Sequence, residues 1–300
     1  MARKVKALVP YYGAARMTGP KIGKLVGPCS YLLAPTCGSC AEFPYIKASS
    51  IMAADLHEDV VNLGRVVSGD RERFRRFFGR VLGRLHSEAE FQSALRAMKA
   101  RRTPGLYEPA ADAAPNEERA ADYFTVCWMG RSSVPGTAQE ARNTFSFRNE
   151  SGGGDSAFRY FSAVRSMRDW RTILSHTTFM RERAREMISR FNESALGDRV
   201  KETRRFRTLY LDPPWFDAGD DYLCPMTDLQ HAGLAQQVTI TAKLGMRVVV
   251  RINDHPMTRG LYPPALWIYR ELDGRDQANA KKKELVLIAR EGWRLPDDGE

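Results

Sequence analysis

Apolar and polar residues are arranged along this chain in short blocks. Ser30-Tyr31-Leu32-Leu33-Ala34 is a compact apolar run ending in the turn Pro35-Thr36-Cys37-Gly38-Ser39-Cys40. Ser50-Ile51-Met52-Ala53-Ala54 is a second such run and ends at Asp55. Runs of this length bounded by turn formers predict buried strands. A helix over residues 58–67 follows. The same pattern resumes after residue 160, where residues 208–211 predict a strand that runs into Asp212-Pro213-Pro214-Trp215. Thr227-Asp228-Leu229-Gln230 has the form of a capping box and predicts a helix to about Leu244, stopped at Gly245. Residues 246–252 form a β-rich run. Residues 266–271 and 284–289 predict two more strands joined by a polar stretch, a long hairpin.

Strand, glycine turn, strand and acid make the opening of a nucleotide-binding α/β unit. Asp55 follows Gly38 by 17 positions (55 − 38), near the roughly 20 at which such folds place a ribose-binding carboxylate. Between the two α/β halves, residues 68–160 differ in character. They are rich in arginine, predict helices at first, and carry an Ala/Pro/acid segment over residues 109–121 that predicts a linker. No internal repeat is present.

Composition narrows the class. The 300 residues are 43% hydrophobic and 27% charged, an ordinary globular balance. No apolar run is long enough for a membrane span, and the basic-then-apolar N-terminus is too short for a signal peptide. Five scattered cysteines give no disulfide framework, which fits a cytoplasmic protein. The formal net charge of +10 fits a polyanionic partner. Arginines crowd residues 71–84 and 96–102 and recur at Arg131, Arg142, Arg148, Arg159, Arg165, Arg168 and Arg171, interleaved with phenylalanine and tyrosine. Arginine's planar fork suits phosphates and base edges, so the middle region predicts nucleic-acid contact. The alternative is a set of solvated helix faces over a core of aromatics.

The stretch Asp212-Pro213-Pro214-Trp215 carries the chemistry. Proline fixes its own backbone and pushes the preceding residue into extended conformation. Asp212 and its prolines therefore form a rigid exit at a strand's carboxyl end, where α/β sheets place ligands. The Asp212 carboxylate and the Pro213 carbonyl are two acceptors at fixed spacing, suited to the two hydrogens of an exocyclic NH₂. Trp215 offers a flat face for a base. Cys37-x-x-Cys40 admits a redox pair or half a zinc site. No second such pair and no spaced histidines accompany it, so small residues filling a tight turn is the favoured reading.

With these motifs the chain resembles the D12 class of adenine-specific DNA methyltransferases, the Dam-like group, over most of its length. Pro10-Tyr11-Tyr12-Gly13-Ala14-Ala15-Arg16 stands where the family has an aromatic-Gly-Gly-Lys element. Residues 34–40 stand at its cofactor loop, residues 54–62 at its Asn-Asp-containing run, and Asp169-Trp170 at its Asp-Phe pair. Asp212 to Trp215 is similar to its DPPY tetrapeptide, and Thr227 to His231 to its Thr-x-x-x-His helix. The chain departs from the family at Ala34, Thr36 and Cys40 of the loop, and at Ala15. The resemblance implies a Rossmann-like S-adenosylmethionine-dependent methyltransferase fold. A discontinuous catalytic domain would span residues 1–67 and 161–291, with a mostly helical target-recognition insert over 68–160 and a polar tail over 292–300. It implies methyl transfer from S-adenosylmethionine to the N6 amine of an adenine flipped out of double-stranded DNA, by a monomer without a metal. The implied catalytic residues are Asp212, Pro213, Pro214 and Trp215. Tyr11, Tyr12, Gly13, Pro35, Gly38, Asp55, Asp169 and Trp170 would hold the cofactor, and Arg131, Arg142 and Arg148 the DNA. Two alternatives stay open: a methyltransferase-fold DNA-binding protein with impaired catalysis, and an N4-cytosine or RNA methyltransferase.

Overall fold

The computed structural model describes residues 5–101, 114–131, 134–147, 149–150, 154–197, 206–217, 221–275 and 281–291. The strands are β1 (Cys29–Ala34), β2 (Ala48–Ala54), β3 (Asn149–Glu150), β4 (Gly154–Asp155), β5 (Thr177–Met180), β6 (Arg207–Leu211), β7 (Arg247–Ile252), β8 (Trp267–Arg275) and β9 (Lys281–Ala289). The helices are α1 (Gly19–Val26), α2 (Glu58–Ser68), α3 (Arg71–Gly83), α4 (Glu88–Arg101), α5 (Glu117–Met129), α6 (Ser156–Ile173), α7 (Ala184–Gly197), α8 (Asp228–Lys243) and α9 (Pro256–Leu261).

Seven strands form one sheet in the order β5-β2-β1-β6-β7-β9-β8. The first five pair in parallel, and β9 and β8 join antiparallel as the predicted hairpin. The chain builds outward from β1 through β2 to β5, then returns to the other side of β1 for β6 and β7. This is the order of a doubly wound α/β sheet, and its direction reverses between β1 and β6. The fold is therefore α/β, as expected, with a mostly parallel sheet compatible with a Rossmann-like arrangement.

The period-two alternation of strands sorts side chains between two cores. Leu32, Ile51, Tyr210, Val249 and Ile288 pack on one face. Leu33, Leu209, Leu211, Val248, Val250 and Leu287 pack on the other. Helices α2 to α6 contribute to the first core, and α7 and α8 to the second. Gly64 of α2 lies where a Cβ would sit 2.5 Å from the Phe179 ring of β5, so glycine permits this helix to lie close on the strand.

The predicted helix over 58–67, the predicted strands and the capping box are all present, the latter with Thr227 accepting from the Gln230 N–H and Gln230 accepting from the Thr227 N–H. One expectation differs. The linker over 109–121 gives way at Glu117, where Asn116 caps α5 by accepting from the Arg119 N–H; residues 109–113 lie outside the described residues. The edge of the insert at 160 falls inside α6, and α3 to α5 pack into the same core as α2 and α6. The tail over 292–300 lies outside the described residues.

No helix among the described residues is long and apolar enough to cross a membrane. Most arginines between residues 71 and 119 are held by acids of the same region. Arg76 donates to Glu117, Arg84 and Arg101 converge on Asp122, and Arg119 bridges Glu58 and Asp59. Arg168 and Arg171 lie over the Phe78 and Phe74 rings. Arg84, Arg101 and Arg119 are internal scaffolding, because a partly buried charge needs a partner to offset its lost hydration, whereas Arg71, Arg75, Arg76, Arg80 and Arg96 are exposed.

Candidate functional site

The carboxyl ends of β1 and β6 lie side by side at the reversal point, and a cavity of about 280 Å³ opens over them. Doubly wound sheets bind ligands in this crevice. From β1 come Pro35 to Ser39, from β2 Asp55, from β6 Asp212, Pro213 and Pro214. Tyr11, Tyr12 and Gly13 of the N-terminal loop, Gly136, Tyr222 and the segment 224–226 close it. Glu182, Arg183 and Arg185, at the exit of β5, complete the wall.

The turn after β1 is tied to the acid after β2. The Gly38 N–H donates to Asp55 Oδ2 at 2.9 Å, and the His57 N–H donates to Oδ1 at 2.9 Å. Gly38 has φ +43, a left-handed conformation that favours glycine. Burial raises the Asp55 pKa, and the backbone N–H groups of His57 and Gly38 work against that rise. Each carboxylate oxygen keeps a second lone pair, so Asp55 remains an acceptor towards the cavity.

Asp212 is gripped from below. Its backbone N–H donates to the Thr36 hydroxyl at 3.0 Å, which fastens the end of β6 to the turn after β1. Arg251 of β7 donates to its Oδ2 at 2.6 Å. Trp215 Nε1 donates a long bond of 3.4 Å to Oδ1. Burial raises the Asp212 pKa and Arg251 opposes the rise. Beside it, Glu42 accepts from the Tyr210 hydroxyl at 3.1 Å. Burial first, then the neighbouring Asp212 charge, push Glu42 up to about 7.

This makes a prediction about stability. Glu42 binds a proton more tightly folded than unfolded, so between its ordinary pKa and about 7 the native state holds more protons. Stability then falls as pH rises through that window. Glu42→Gln mimics the protonated acid and should flatten this fall, by about 1–3 kcal/mol between pH 5 and pH 8. Thermal melts of both proteins at the two pH values measure it; a fall of equal size in the variant would refute the assignment.

The predicted site residues divide clearly. Tyr11, Tyr12, Gly13, Pro35, Gly38, Asp55, Asp212, Pro213 and Pro214 all line one cavity. Trp215 does not: it is 6% exposed, packs in the core and lies under the Arg251 guanidinium, 5.0 Å from its ring centre. It buttresses Asp212 and presents no free face to a ligand, whereas Tyr222 does line the cavity. Asp169 and Trp170 are also displaced from the expected place. They lie inside α6, where Trp170 is buried and donates to the Lys6 carbonyl at 2.8 Å. The exit of the strand beside β2 is that of β5, so Glu182 and Arg183 occupy the wall there. Cys40 has φ +54, an uncommon conformation for a residue with a Cβ, but its side chain is buried in the core and does not crowd the cavity. Arg131 and Arg142 are exposed, and Arg148 lies outside the described residues. Among the described residues no group of three or more metal-ligating side chains is assembled.

No family model matches the chain, and no curated protein matches it significantly.

Sequence reading passed over Glu42, Tyr222, Arg251 and Glu284. Two of these carried a signal: Arg251 interrupts the apolar run of β7, and Glu284 opens that of β9. A buried strand tolerates a charge only with a partner. The two pair bidentately, Arg251 Nε and Nη2 donating to Glu284 at 2.9 and 2.7 Å.

Proposed function

We propose that this protein transfers a methyl group from S-adenosylmethionine to the N6 amine of an adenine flipped out of double-stranded DNA. The observation that carries the reading is the shared cavity: the rigid Asp212-Pro213-Pro214 exit and the Gly38–Asp55 nucleotide turn face one space at the sheet's reversal point. The residues present fit such a cofactor. Five acidic residues, Glu42, Asp55, Glu182, Glu186 and Asp212, line the cavity against two arginines, Arg183 and Arg185, and this acidic excess complements a ligand carrying a sulfonium and an ammonium. Asp55 would accept from its ribose hydroxyls, and Tyr11 and Tyr12 would flank it beside the Gly38 turn.

When bound, the cofactor supplies an electrophilic methyl group. The protein's own part is positioning. Asp212 Oδ1 and the Pro213 carbonyl would each accept one hydrogen of the target amine, which localises the nitrogen lone pair otherwise spread into the ring. The base must leave the duplex to reach them. Tyr222, whose ring meets that of Tyr12 edge-on at 5.1 Å, is the aromatic at hand to receive it.

Contact with DNA falls to a smaller patch than the arginine count suggests. Arg131 and Arg142 flank the segment 134–140, which closes the cavity through Gly136. Phe147 and Phe158 stand 79% and 60% exposed in the same region of sequence. Duplex binding should weaken steeply with salt, because each phosphate contact releases a counterion. Arg131→Ala and Arg142→Ala should each lower the salt slope by about 1 without changing cofactor affinity. Fluorescence anisotropy across a salt series tests this, and a flat series would remove DNA as partner.

Incubation with labelled S-adenosylmethionine and mixed DNA, followed by nucleoside analysis, tests the activity itself. N6-methyladenine in DNA is the expected product; N4-methylcytosine or a methylated ribonucleoside would redirect the substrate. One observation favours the second reading, a DNA-binding protein with impaired catalysis: Asp212 Oδ2 is already taken by Arg251. Cofactor and DNA binding without any methylated product would establish it.

A further inference from the structure

Arg251 joins three segments of the site. Its side chain is 3% exposed, and its donors are divided with little left over. Nη1 reaches both Asp212 Oδ2 at 2.6 Å and the Gly13 carbonyl at 2.8 Å. Nε and Nη2 take both oxygens of Glu284. The guanidinium also stacks over Trp215. One cation thus fixes the loop that closes the cavity, the carboxylate at its floor and the edge of the hairpin.

The consequence for Asp212 is asymmetric. Oδ2 is committed to a short, charge-assisted bond. Among the described residues Oδ1 receives the long contact from Trp215, and it keeps acceptor capacity. We propose that Arg251 is a positioning residue of the site: by taking Oδ2 it turns Oδ1 towards the target amine and holds the buried carboxylate ionised. This rests on the methyl-transfer reading for its consequence, though not for its geometry.

Glu284 sets the strength of the effect. It shares the Arg251 charge, so Asp212 feels one neighbouring cation and, behind it, one anion. The other groups that bear on Asp212 are Glu42, Tyr210 and Tyr222. Removing the cation should make Asp212 easier to protonate, whereas removing the Glu284 charge should make it harder. The two substitutions must move the same titration in opposite directions.

The test uses Arg251→Met, Arg251→Lys and Glu284→Gln in the full chain, each checked by circular dichroism. Methyl transfer by Arg251→Met should fall on the order of 10²-fold in kcat, with KM for S-adenosylmethionine within about threefold. Its acidic limb should move up by roughly 1–3 pH units, so that alkaline pH restores part of the rate. Arg251→Lys should recover much of the loss, since it keeps the charge but not the fork. The acidic limb of Glu284→Gln should move down.

A second readout needs no activity. Trp215 Nε1 faces Asp212, so its emission should titrate with that carboxylate; subtraction of a Trp215→Phe variant isolates it. The midpoint should rise in Arg251→Met and drop in Glu284→Gln. Should Arg251→Met not fold, the Glu284→Gln and Arg251→Lys titrations decide alone. Shifts in the same direction, no shift, or equal rate loss in Met and Lys at every pH would overturn the proposal. Opposed shifts in a protein that makes no methylated product would keep the role of Arg251 and sink the catalytic reading instead.

Discussion

Asp212→Ala is expected to reduce methyl transfer on the order of 10³-fold or more, while duplex affinity changes little. The target amine needs two acceptors, and the Pro213 carbonyl alone fixes only one hydrogen. Loss of one preorganised hydrogen-bonding group at a reacting centre costs about 10²–10³-fold, and this one carries a charge in a buried place. Asp212→Asn separates charge from shape. If the amide turns its oxygen to Arg251, the NH₂ group faces the target amine, and two donors oppose each other. Asn should therefore be nearly as inactive as Ala. The fold should survive both changes, because Arg251 keeps its bidentate bond to Glu284 and is not left as an unpaired buried charge. Single-turnover kinetics with labelled cofactor, run beside anisotropy with the same duplex, separate the two effects. Near-normal transfer by Asp212→Ala would show that the amine is held elsewhere.

The sequence disclosed the parts of this site that depend on neighbours along the chain. Gly38 was legible because a turn needs a left-handed residue, and Asp55 because its distance from Gly38 is set by one crossover. Asp212 to Pro214 was legible because proline restricts the backbone locally, whatever the tertiary setting. Trp215 was misread for the converse reason. Whether an indole faces a cavity or a core depends on β7, some 36 residues on, which sends Arg251 across its ring. Asp169-Trp170 failed similarly: an acid beside an aromatic matched a motif, but the strand that ends beside Asp55 is the four-residue β5, too short for periodicity to reveal. The internal role of part of the arginine-rich stretch was not legible, since several of the acids that pair with it lie 21 to 61 residues away, as with Arg101–Asp122, Arg84–Asp122 and Arg119–Glu58. Pairing at that range has no local signature. Arg251 and Glu284 had one, a charge within an apolar strand, and only the sheet register shows that they meet.

Asp55→Ala should weaken S-adenosylmethionine binding by about 10²-fold, through two losses that can be told apart. The first is direct: charge-assisted bonds to the ribose hydroxyls, each worth about 1.5–3 kcal/mol. The second is the turn itself, because the Gly38 and His57 N–H groups lose their acceptor, and unsatisfied buried donors cost about 1–3 kcal/mol. That second loss appears without any ligand, as a lower melting temperature. Gly38→Ala provides the comparison. It keeps Asp55 but forces a Cβ into φ +43, 3.4 Å from the Tyr11 ring, so it disturbs the turn while leaving the carboxylate in place. If Asp55 binds the ribose, its loss should cost more affinity than Gly38→Ala at equal loss of stability. Cys40→Gly should leave affinity unchanged, since that side chain points into the core, although relief of its positive φ offsets part of the buried contact it gives up. Calorimetric titration of the wild type and the three variants, alongside their melts, measures each term. Asp55→Ala binding as tightly as the wild type, with the turn demonstrably loosened, would place the cofactor away from this acid and remove the nucleotide turn from the site.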